Sequence, residues 1–380
     1  MKVKSNLLNL TVTIILFTSC TQKDSDLKQI QKIRFDPSES TDGYLEKEME
    51  DFYFVPLGTN KEFLITRIEK IFFTENEIIV TDRGGESIFV FDRKGNCKYK
   101  VQESGKGPGE YSNMTDALYD EKKKQLEVLD NLGKKILYYS LMGEFLYEKQ
   151  IPDYYKLAGS RFYKNKGIYY FDRVQGASKD GRRISLYDEK QMGFMRSFLP
   201  IPKQMVNFRY VYHHAIDTYK NTVYYLPDMD DKIYKFSPDS IIPVYELDYP
   251  GKTKIDQNGP ERLIKFISYQ SYMNSHGHIF NLSHLFINDR YIAFSYQYKL
   301  HPWPLGLFYS KRTGKFKAFE WLRSSNNPDI GLSTIIKGMA GEYYVMDIPS
   351  SSNKFLPEAI RKNLTDSSNP VLLFFKLKDF

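Results

Sequence analysis

The chain has 380 residues, of which 54 are Lys or Arg and 47 are Asp or Glu, so its formal net charge at pH 7 is +7. Because the basic residues are scattered among acidic ones and form no basic stripe, we expect no nucleic-acid partner. Tyrosine and phenylalanine are frequent, with 30 and 27 copies. These residue types favour pleated, half-buried surfaces, which indicates a protein built mainly of β-strands.

The N-terminus has the organisation of a secretory signal. Two lysines precede an apolar run from Leu7 to Phe17, and small residues then lead to Cys20. This arrangement resembles the lipobox of bacterial lipoproteins, in which the cysteine is acylated and becomes the mature N-terminus, although Phe17 stands where leucine is usual. We predict a signal peptide over residues 1–19, an acylated Cys20 and a flexible tether over 20–45. A plain signal peptide without acylation is the alternative.

The stretch TQKDSD, directly after Cys20, is the basis for predicting the cellular location of the protein. It resembles the short charged tag that sends some lipoproteins of gut-type Gram-negative bacteria to the outer face of the outer membrane, and a solvated tether is the alternative. We predict an outer-membrane lipoprotein, exposed at the surface or facing the periplasm, whose membrane partner is the lipid held through Cys20. An acylated Cys20 leaves Cys97 without an intramolecular partner, so we expect no disulfide and a small core residue at Cys97.

From residue 67 onward one unit recurs: a strand, a polar turn, an apolar strand that usually ends in Asp, a loop, an aromatic strand, a turn and a last strand. The first copy, RIEKIFFTENEIIVTDRGGESIFVFDRKGNCKYKVQ, spans residues 67–102. The ends of the six second strands follow one another at about 40 to 70 residues: Asp82, Asp130, Asp172, Asp228, Ser295 and Asp347. Six four-stranded units of this length are typical of a β-propeller, in which each blade is one small antiparallel sheet.

The last unit lacks an outer strand, because the given sequence ends with NPVLLFFKLKDF. The segment DFYFVPLG, residues 51–58, can supply that strand and close the ring. Two interruptions, over 259–274 and 354–364, have helical periodicity. The predicted fold is therefore all-β: a six-bladed β-propeller of four-stranded antiparallel blades over residues 46–380, closed by an N-terminal strand and carrying two short helical insertions.

Three segments carry a family likeness: GKGPGEY after the first unit, FYSKRTGKF in the fifth, and SNPVLLFFKLK near the C-terminus. They resemble the six-bladed β-propeller lipoproteins of gut-type Gram-negative bacteria, which are related in fold to the NHL and TolB-like propellers. The likeness covers about residues 45–380. It implies the fold and no particular reaction, because that family has no common activity and a fold does not by itself specify function.

The glycine-rich loop SGKGPGEYSN, residues 104–113, could be a phosphate-binding loop or a sharp corner between strands. A phosphate-binding loop needs a Lys-Ser or Lys-Thr pair after its last glycine and a helix that follows. Here Glu110 follows Gly109, and a strand comes next. We interpret the loop as a conformationally demanding corner between blades, with Tyr111 packed beneath it.

Long insertions concentrate in the loops between blades and between second and third strands, whereas the turns on the opposite face are minimal. Such asymmetry marks the binding face of a repeat protein. Aromatic rings beside a few polar groups can stack on a sugar or aryl face and orient it by hydrogen bonds, although each ring could instead pack between blades. The predicted ligand-binding residues are Glu110, Arg209, Tyr210, Tyr212, His213, His214, His301 and Trp303.

No nucleophile motif such as G-x-S-x-G is present. We predict a cell-envelope propeller that binds a glycan or peptide fragment without catalysis and without a resident metal or cofactor. One alternative is a metal-dependent hydrolase or lyase that uses His213, His214, Asp228 and Glu110 as acid, base or ligand. Calcium could bind the aspartates that end the second strands, although such aspartates also cap their own turns. Another alternative is a scaffold for protein interactions.

Overall fold

The computed structural model describes residues 30–152, 160–173, 181–201, 214–228, 230–237, 239–250, 273, 277–299, 301 and 303–380. Within these ranges the strands form six sheets, which are the blades of a propeller. Three strands near the N-terminus join the later blades: β1 (Gln31–Arg34), β2 (Thr41–Tyr44) and β3 (Met49–Pro56). The short helices in these ranges are a 3-10 helix over Pro37–Glu39, α1 (Leu45–Glu48), a 3-10 helix over Ser350–Phe355 and α2 (Glu358–Arg361).

The first three blades are simple four-stranded antiparallel sheets. Blade 1 consists of β4 (Ile68–Phe73), β5 (Glu77–Asp82), β6 (Ser87–Asp92) and β7 (Cys97–Val101). Blade 2 consists of β8 (Met114–Asp120), β9 (Gln125–Asp130), β10 (Lys135–Ser140) and β11 (Phe145–Gln150). Blade 3 consists of β12 (Ser160–Asn165), β13 (Ile168–Arg173), β14 (Arg182–Asp188) and β15 (Gly193–Pro200).

The last three blades repeat this pattern and add the N-terminal strands. Blade 4 consists of β16 (Ile216–Tyr219), β17 (Thr222–Tyr225), β18 (Lys232–Phe236) and β19 (Ile241–Asp248), joined by β1. Blade 5 consists of β20 (Ile279–Ile287), β21 (Tyr291–Tyr298), β22 (Leu305–Ser310) and β23 (Phe316–Ser324), joined by β2 and by β24 (Asn327–Leu332). Blade 6 consists of β25 (Gly338–Ala340), β26 (Tyr343–Ile348), β27 (Val371–Leu377) and β3. The predicted six-bladed propeller is confirmed.

The middle strands are apolar without a break because both faces of each blade are covered by a neighbouring blade. In β5, Ile78 and Val80 belong to a core cluster that contains Phe374 of blade 6. Ile79, on the opposite face of the same strand, belongs to a cluster with Val128 of blade 2. Alternate side chains of a strand point to opposite faces, so one strand contributes to two interfaces between blades.

The N-terminal segment closes the ring and covers the outer edges of three successive blades. The predicted closing strand is confirmed, because β3 pairs antiparallel with β27 as the outer strand of blade 6. The structure also pairs β1 with β19 and β2 with β23, both in parallel. Residues 31–44 therefore belong to the folded body, although the sequence placed them in the tether. These strands satisfy backbone groups on outer edges that would otherwise be unpaired, and Ile33 and Leu45 are fully buried.

The second predicted insertion differs from its predicted form. In the segment 354–364, only Glu358–Arg361 is α-helical, because the 3-10 helix Ser350–Phe355 ends before Pro357, which is the N-cap of α2. The segment 259–274 lies outside the described residues apart from Met273.

Cys97 in β7 is half-buried, and burial raises the pKa of its thiol. Among the helices that the structure describes, none has the length and apolar character needed to cross a bilayer.

The packing of β1 can be tested by substitution. Ile33 is fully buried in a cluster with Leu226 and Leu247, so Ile33→Ala should lower the free energy of unfolding by about 2–5 kcal/mol. Lys32→Ala is the matched control, because it removes only an exposed ion pair with Asp248 that contributes at most about 1 kcal/mol. Chemical denaturation measures both. Equal stability of Ile33→Ala and the wild type would contradict the docking of β1.

Candidate functional site

Four charged side chains are buried on the innermost strands of three consecutive blades, where a propeller encloses its central channel. Glu69 and Lys70 lie on β4, Asp116 on β8 and Arg161 on β12. Each is at most 7% exposed. Buried charges are expensive unless they are paired and hydrogen-bonded, so their partners define this region.

These charges neutralise one another across the boundaries between blades. The Lys70 ammonium lies 2.7 Å from the Asp116 carboxylate, and the Arg161 guanidinium lies 3.2 Å from Glu69. Arg161 also donates a hydrogen bond of 2.8 Å to the Thr115 carbonyl. The cluster therefore fastens blades 1, 2 and 3 together at the channel, and removal of one partner would leave another charge buried and unpaired.

A small, partly open cavity of about 20 Å³ lies beside this cluster. It brings together residues from blades 1, 3 and 4: Lys70, Arg161, Phe162, Tyr163, Asp172, His214, Ala215 and Ile216. Aromatic and aliphatic walls with a few charged groups are typical of sites for small ligands. A cavity of this size holds about one water molecule, so a larger ligand would contact its mouth. This cavity is the candidate functional site.

Of the predicted ligand-binding residues, His214 lines the cavity. Its ring stacks on Phe286 of β20, with centroids 4.3 Å apart and planes 15° apart. Its backbone has φ of +59°, and β20 contains two further left-handed residues, Asn281 and His284. The pairing of β20 with β21 also shifts register twice. Left-handed non-glycine residues and bulges cluster at functional sites, where the surrounding structure enforces them.

The structure places Glu110 in a different environment. Its carboxylate accepts a hydrogen bond of 2.8 Å from the Gly107 amide, within its own loop. Tyr111 is fully buried beneath that loop, and its hydroxyl donates to the Glu86 carbonyl at 2.5 Å. Gly109 has φ of +77°, a conformation that favours glycine. The interpretation of this loop as a corner between blades is confirmed, and Glu110 stabilises the corner.

His301 and Trp303 share the connection between β21 and β22. His301 Nδ1 lies 2.7 Å from the Trp303 carbonyl oxygen, and its ring centroid lies 5.5 Å from that of Trp321. The Trp303 side chain is 53% exposed, so it can stack on a ligand outside the cavity. The remaining predicted residues lie outside the described part of the chain: Cys20, Arg209, Tyr210, Tyr212 and His213.

The aspartates that end the second strands make local structural bonds in the first two blades. Asp82 accepts from the Gly85 amide at 3.2 Å and from amides ahead of β4. Asp130 repeats this pattern, with the Gly133 amide at 2.9 Å and an amide ahead of β8. Their carboxylates thus cap turns and hold the entry to the inner strand, which is the structural role open to them from sequence.

A second charged network, between blades 2 and 3, was not predicted. Within the described ranges, one group of acidic side chains has oxygens close enough to share a metal ion: Asp120, Glu127 and Glu189. The Lys164 ammonium lies 2.6 Å from each of the three carboxylates. Burial raises the pKa of Glu127. Lys164, together with Lys123 beside Glu189, therefore supplies the positive charge that these carboxylates require, and we interpret the group as structural.

The buried charges had a detectable signal in the repeat. Lys70 and Asp116 are 46 residues apart, as are Thr115 and Arg161. This separation is one blade, so each pair lies at equivalent or adjacent positions of the inner strands. An alignment of the repeats would have shown opposite charges at one position of neighbouring blades. The members of the Lys164 network are not separated by one repeat length in the sequence, because they lie on different strands and in a turn.

Fold and site together define a six-bladed β-propeller with buried charges at its channel. The chain belongs to the family described as domain of unknown function DUF4934, which matches residues 32–376. None of the curated proteins matches the chain.

Solved structures show the same fold at low identity. A Bacteroides fragilis protein described as exported is 16% identical with a TM-score of 0.71, over 92% of this chain and all of that one. A member of the duf4221 family from Bacteroides vulgatus is 10% identical with a TM-score of 0.55, over 87% and 98%. Virginiamycin B lyase from Staphylococcus aureus is 11% identical over 86% and 99%, and its TM-score of 0.42 is too low to bear on activity.

The structural role of Lys164 predicts a pH-dependent loss of stability. Lys164→Met should lower the free energy of unfolding by about 3–5 kcal/mol near neutral pH, because three carboxylates lose their shared cation. Without Lys164 their folded-state pKa values rise above the unfolded values, so the loss should shrink as the pH falls toward about 5 and they become protonated. Urea denaturation at both pH values measures this.

Lys122→Met is the control for this prediction, since Lys122 is exposed in the same turn region as Asp120. It should leave the free energy of unfolding within about 0.5 kcal/mol of the wild type at both pH values. An equal loss for Lys164→Met at both pH values would contradict the role assigned to the carboxylates.

Proposed function

We propose that this protein is a lipoprotein of the cell envelope whose propeller binds a glycan or peptide fragment at the mouth of the channel cavity without chemical conversion. Its leader, with Cys20 after an apolar run and small residues, supports export and acylation. A Bacteroides fragilis protein with the same fold is described as exported, which supports location in the cell envelope. The charged stretch after Cys20 supports display on the outer membrane.

The cavity lined by Lys70, Arg161 and His214 carries the ligand-binding part of this proposal. Phe162 and Tyr163 provide aromatic surface at the same place, and such rings suit the apolar face of a sugar or the side chain of a peptide. Hydrogen-bonding groups on three different blades can then fix the orientation of the ligand. Because the inner strands are held by backbone ladders and buried ion pairs, the site is preorganised.

The described members of the proposed acid–base set make contacts that stabilise the fold, which favours binding over catalysis. His214 stacks on Phe286, and Glu110 bonds within its own loop. The Asp228 carboxylate accepts from the Leu282 amide at 3.0 Å. An acid–base mechanism needs such groups within hydrogen-bond reach of one another or of one substrate atom.

The proposed function predicts ligand-dependent stabilisation of the full chain purified in detergent. Thermal-shift screening against neutral and acidic oligosaccharides and short peptides should reveal a ligand that raises the melting temperature by mass action. His214→Asn should weaken that ligand at least about tenfold, because it removes the ring at the cavity wall while asparagine tolerates the left-handed backbone.

Trp303→Ala is the matched control, because Trp303 is an exposed aromatic residue on the β21–β22 connection. Retained affinity in Trp303→Ala and lost affinity in His214→Asn would support binding in the cavity. Lost affinity in Trp303→Ala with retained affinity in His214→Asn would contradict it and would indicate binding at the exposed tryptophan. A screen in which no sugar or peptide alters the melting temperature would contradict the proposed ligand classes.

A further inference from the structure

Both tryptophans of the chain belong to blade 5, where one histidine links them. The sequence contains two tryptophans. Trp321 lies on β23, and Trp303 lies in the connection between β21 and β22. The His301 ring centroid lies 5.5 Å from that of Trp321, and His301 Nδ1 lies 2.7 Å from the Trp303 carbonyl oxygen. Residues on two strands and a loop therefore form one aromatic group.

The loop that carries Trp303 is fixed by hydrogen bonds to two successive carbonyl groups. The Trp303 carbonyl accepts from His301, and the Pro304 carbonyl accepts from the Ser333 hydroxyl at 3.0 Å. The Trp303 side chain is nevertheless 53% exposed. Because the backbone is already ordered, a ligand that contacts this indole loses less conformational entropy on binding. The loop is thus preorganised to present Trp303.

Trp321 is the half-buried support of this group. Its indole packs against the backbone of β24, which pairs with β23. A Cβ atom at Gly331 would lie 2.8 Å from the Trp321 Cβ and 2.9 Å from its Cγ, so glycine is needed there for the close approach. β24 therefore fixes Trp321, and Trp321 in turn contacts the His301 ring.

His301 offers a hydrogen-bond acceptor next to the exposed indole. A carbonyl oxygen can only accept, so the contact of 2.7 Å with the Trp303 carbonyl requires a proton on Nδ1. The Trp303 amide is farther from the same nitrogen, at 3.4 Å. In the neutral imidazole, Nε2 then carries the lone pair. It can accept a hydrogen bond from a hydroxyl group of a ligand.

An exposed indole beside such an acceptor suits a sugar. Carbon-bound hydrogens cover one face of a hexopyranose and pack on an aromatic ring, while its hydroxyl groups donate hydrogen bonds. Among the described residues from β21 to β24, Trp303 is the one large hydrophobic side chain that is exposed. Protein partners and membranes instead contact contiguous apolar patches. These observations favour a glycan over both.

We propose that Trp303 and His301 form a surface subsite on blade 5 for a neutral hexopyranose unit of a glycan. The Trp303 indole packs on the face of the sugar, and His301 Nε2 accepts a hydrogen bond from one of its hydroxyl groups. The inference goes beyond the proposed function, because neither residue lines the channel cavity. This subsite binds a glycan without using the channel.

Tryptophan fluorescence of the full chain in detergent tests this subsite, because the chain has only two tryptophans. Cellohexaose, mannohexaose and galactohexaose are the probes. At least one should shift the emission of Trp303 to shorter wavelength, since stacking removes the indole from water. Trp321→Phe leaves Trp303 as the single emitter and should retain the shift. If Trp321→Phe does not fold, Trp303→Phe should abolish the shift while calorimetry still detects binding.

Calorimetry with the same sugar measures the contribution of each residue. Trp303→Ala should weaken binding at least about tenfold, because it removes the stacking surface. His301→Phe should weaken it about threefold or more, because it keeps a ring against Trp321 and removes the acceptor. Tyr44→Ala is the control, since Tyr44 is an exposed aromatic residue of β2, which also belongs to blade 5. It should leave the affinity unchanged.

No shift with any of the three sugars, or unchanged affinity in Trp303→Ala, would overturn the subsite. Reconstitution into vesicles of phosphatidylethanolamine and phosphatidylglycerol tests membrane contact. Emission that moves to shorter wavelength in vesicles and no longer responds to sugar would overturn the subsite in favour of such contact.

His214→Asn distinguishes this subsite from the mouth of the cavity. It should leave the shift of Trp303 emission intact, because His214 lines the cavity and is not part of the aromatic group on blade 5. A shift that is lost in His214→Asn would overturn a separate subsite and assign the sugar to the cavity. A shift that persists while no ligand depends on His214 would support the subsite and contradict the proposed function.

Discussion

Backbone pairing between the two ends of the chain is the constraint on which this structure depends. β3 pairs with β27 over a register that runs from Pro56 opposite Val371 to Met49 opposite Leu377. This ladder completes blade 6 and joins the start of the propeller to its end, so that every blade has a neighbour on both faces. Only in a closed ring do the inner strands of blades 1, 3 and 4 surround one cavity. The candidate site is therefore a consequence of closure.

The apolar core and the charged clusters stabilise this ring in different ways. Apolar side chains fill the interfaces between blades, as Ile78 and Val80 on one face of β5 and Ile79 on the other illustrate. Buried ion pairs depend on geometry, because each charge must meet its partner to offset desolvation. In the Lys70 cluster and around Lys164 they connect particular neighbouring blades. The first cluster also borders a cavity, which Lys70 and Arg161 line.

Local sequence patterns predicted most of the strands and much of the turn chemistry. The apolar runs in IIVTD and IFVFD, and the repeated aspartate at the end of the second strand, depend on contacts within one hairpin or one blade. The closing strand was predictable by counting, since the last unit was one strand short. The short strands β1 and β2 were missed, because each pairs with a remote strand and buries few side chains. Nothing within four residues distinguishes such a strand from a tether.

In the candidate site, too, some features followed from the sequence and others depended on tertiary contacts. Sequence reasoning assigned His214 and Glu110 to a loop-rich binding face. In the structure His214 lines the cavity, and Glu110 bonds within a corner between blades. It did not find Lys70, Asp116 and Arg161, whose pairing requires three blades to be assembled. By itself the sequence determined the number of repeats, the strand pattern and the closing segment, because alternation and turn propensity act over a few residues. Tertiary structure alone decided which edges the N-terminal strands cover and which charges meet, because those contacts join residues brought together only when the ring closes.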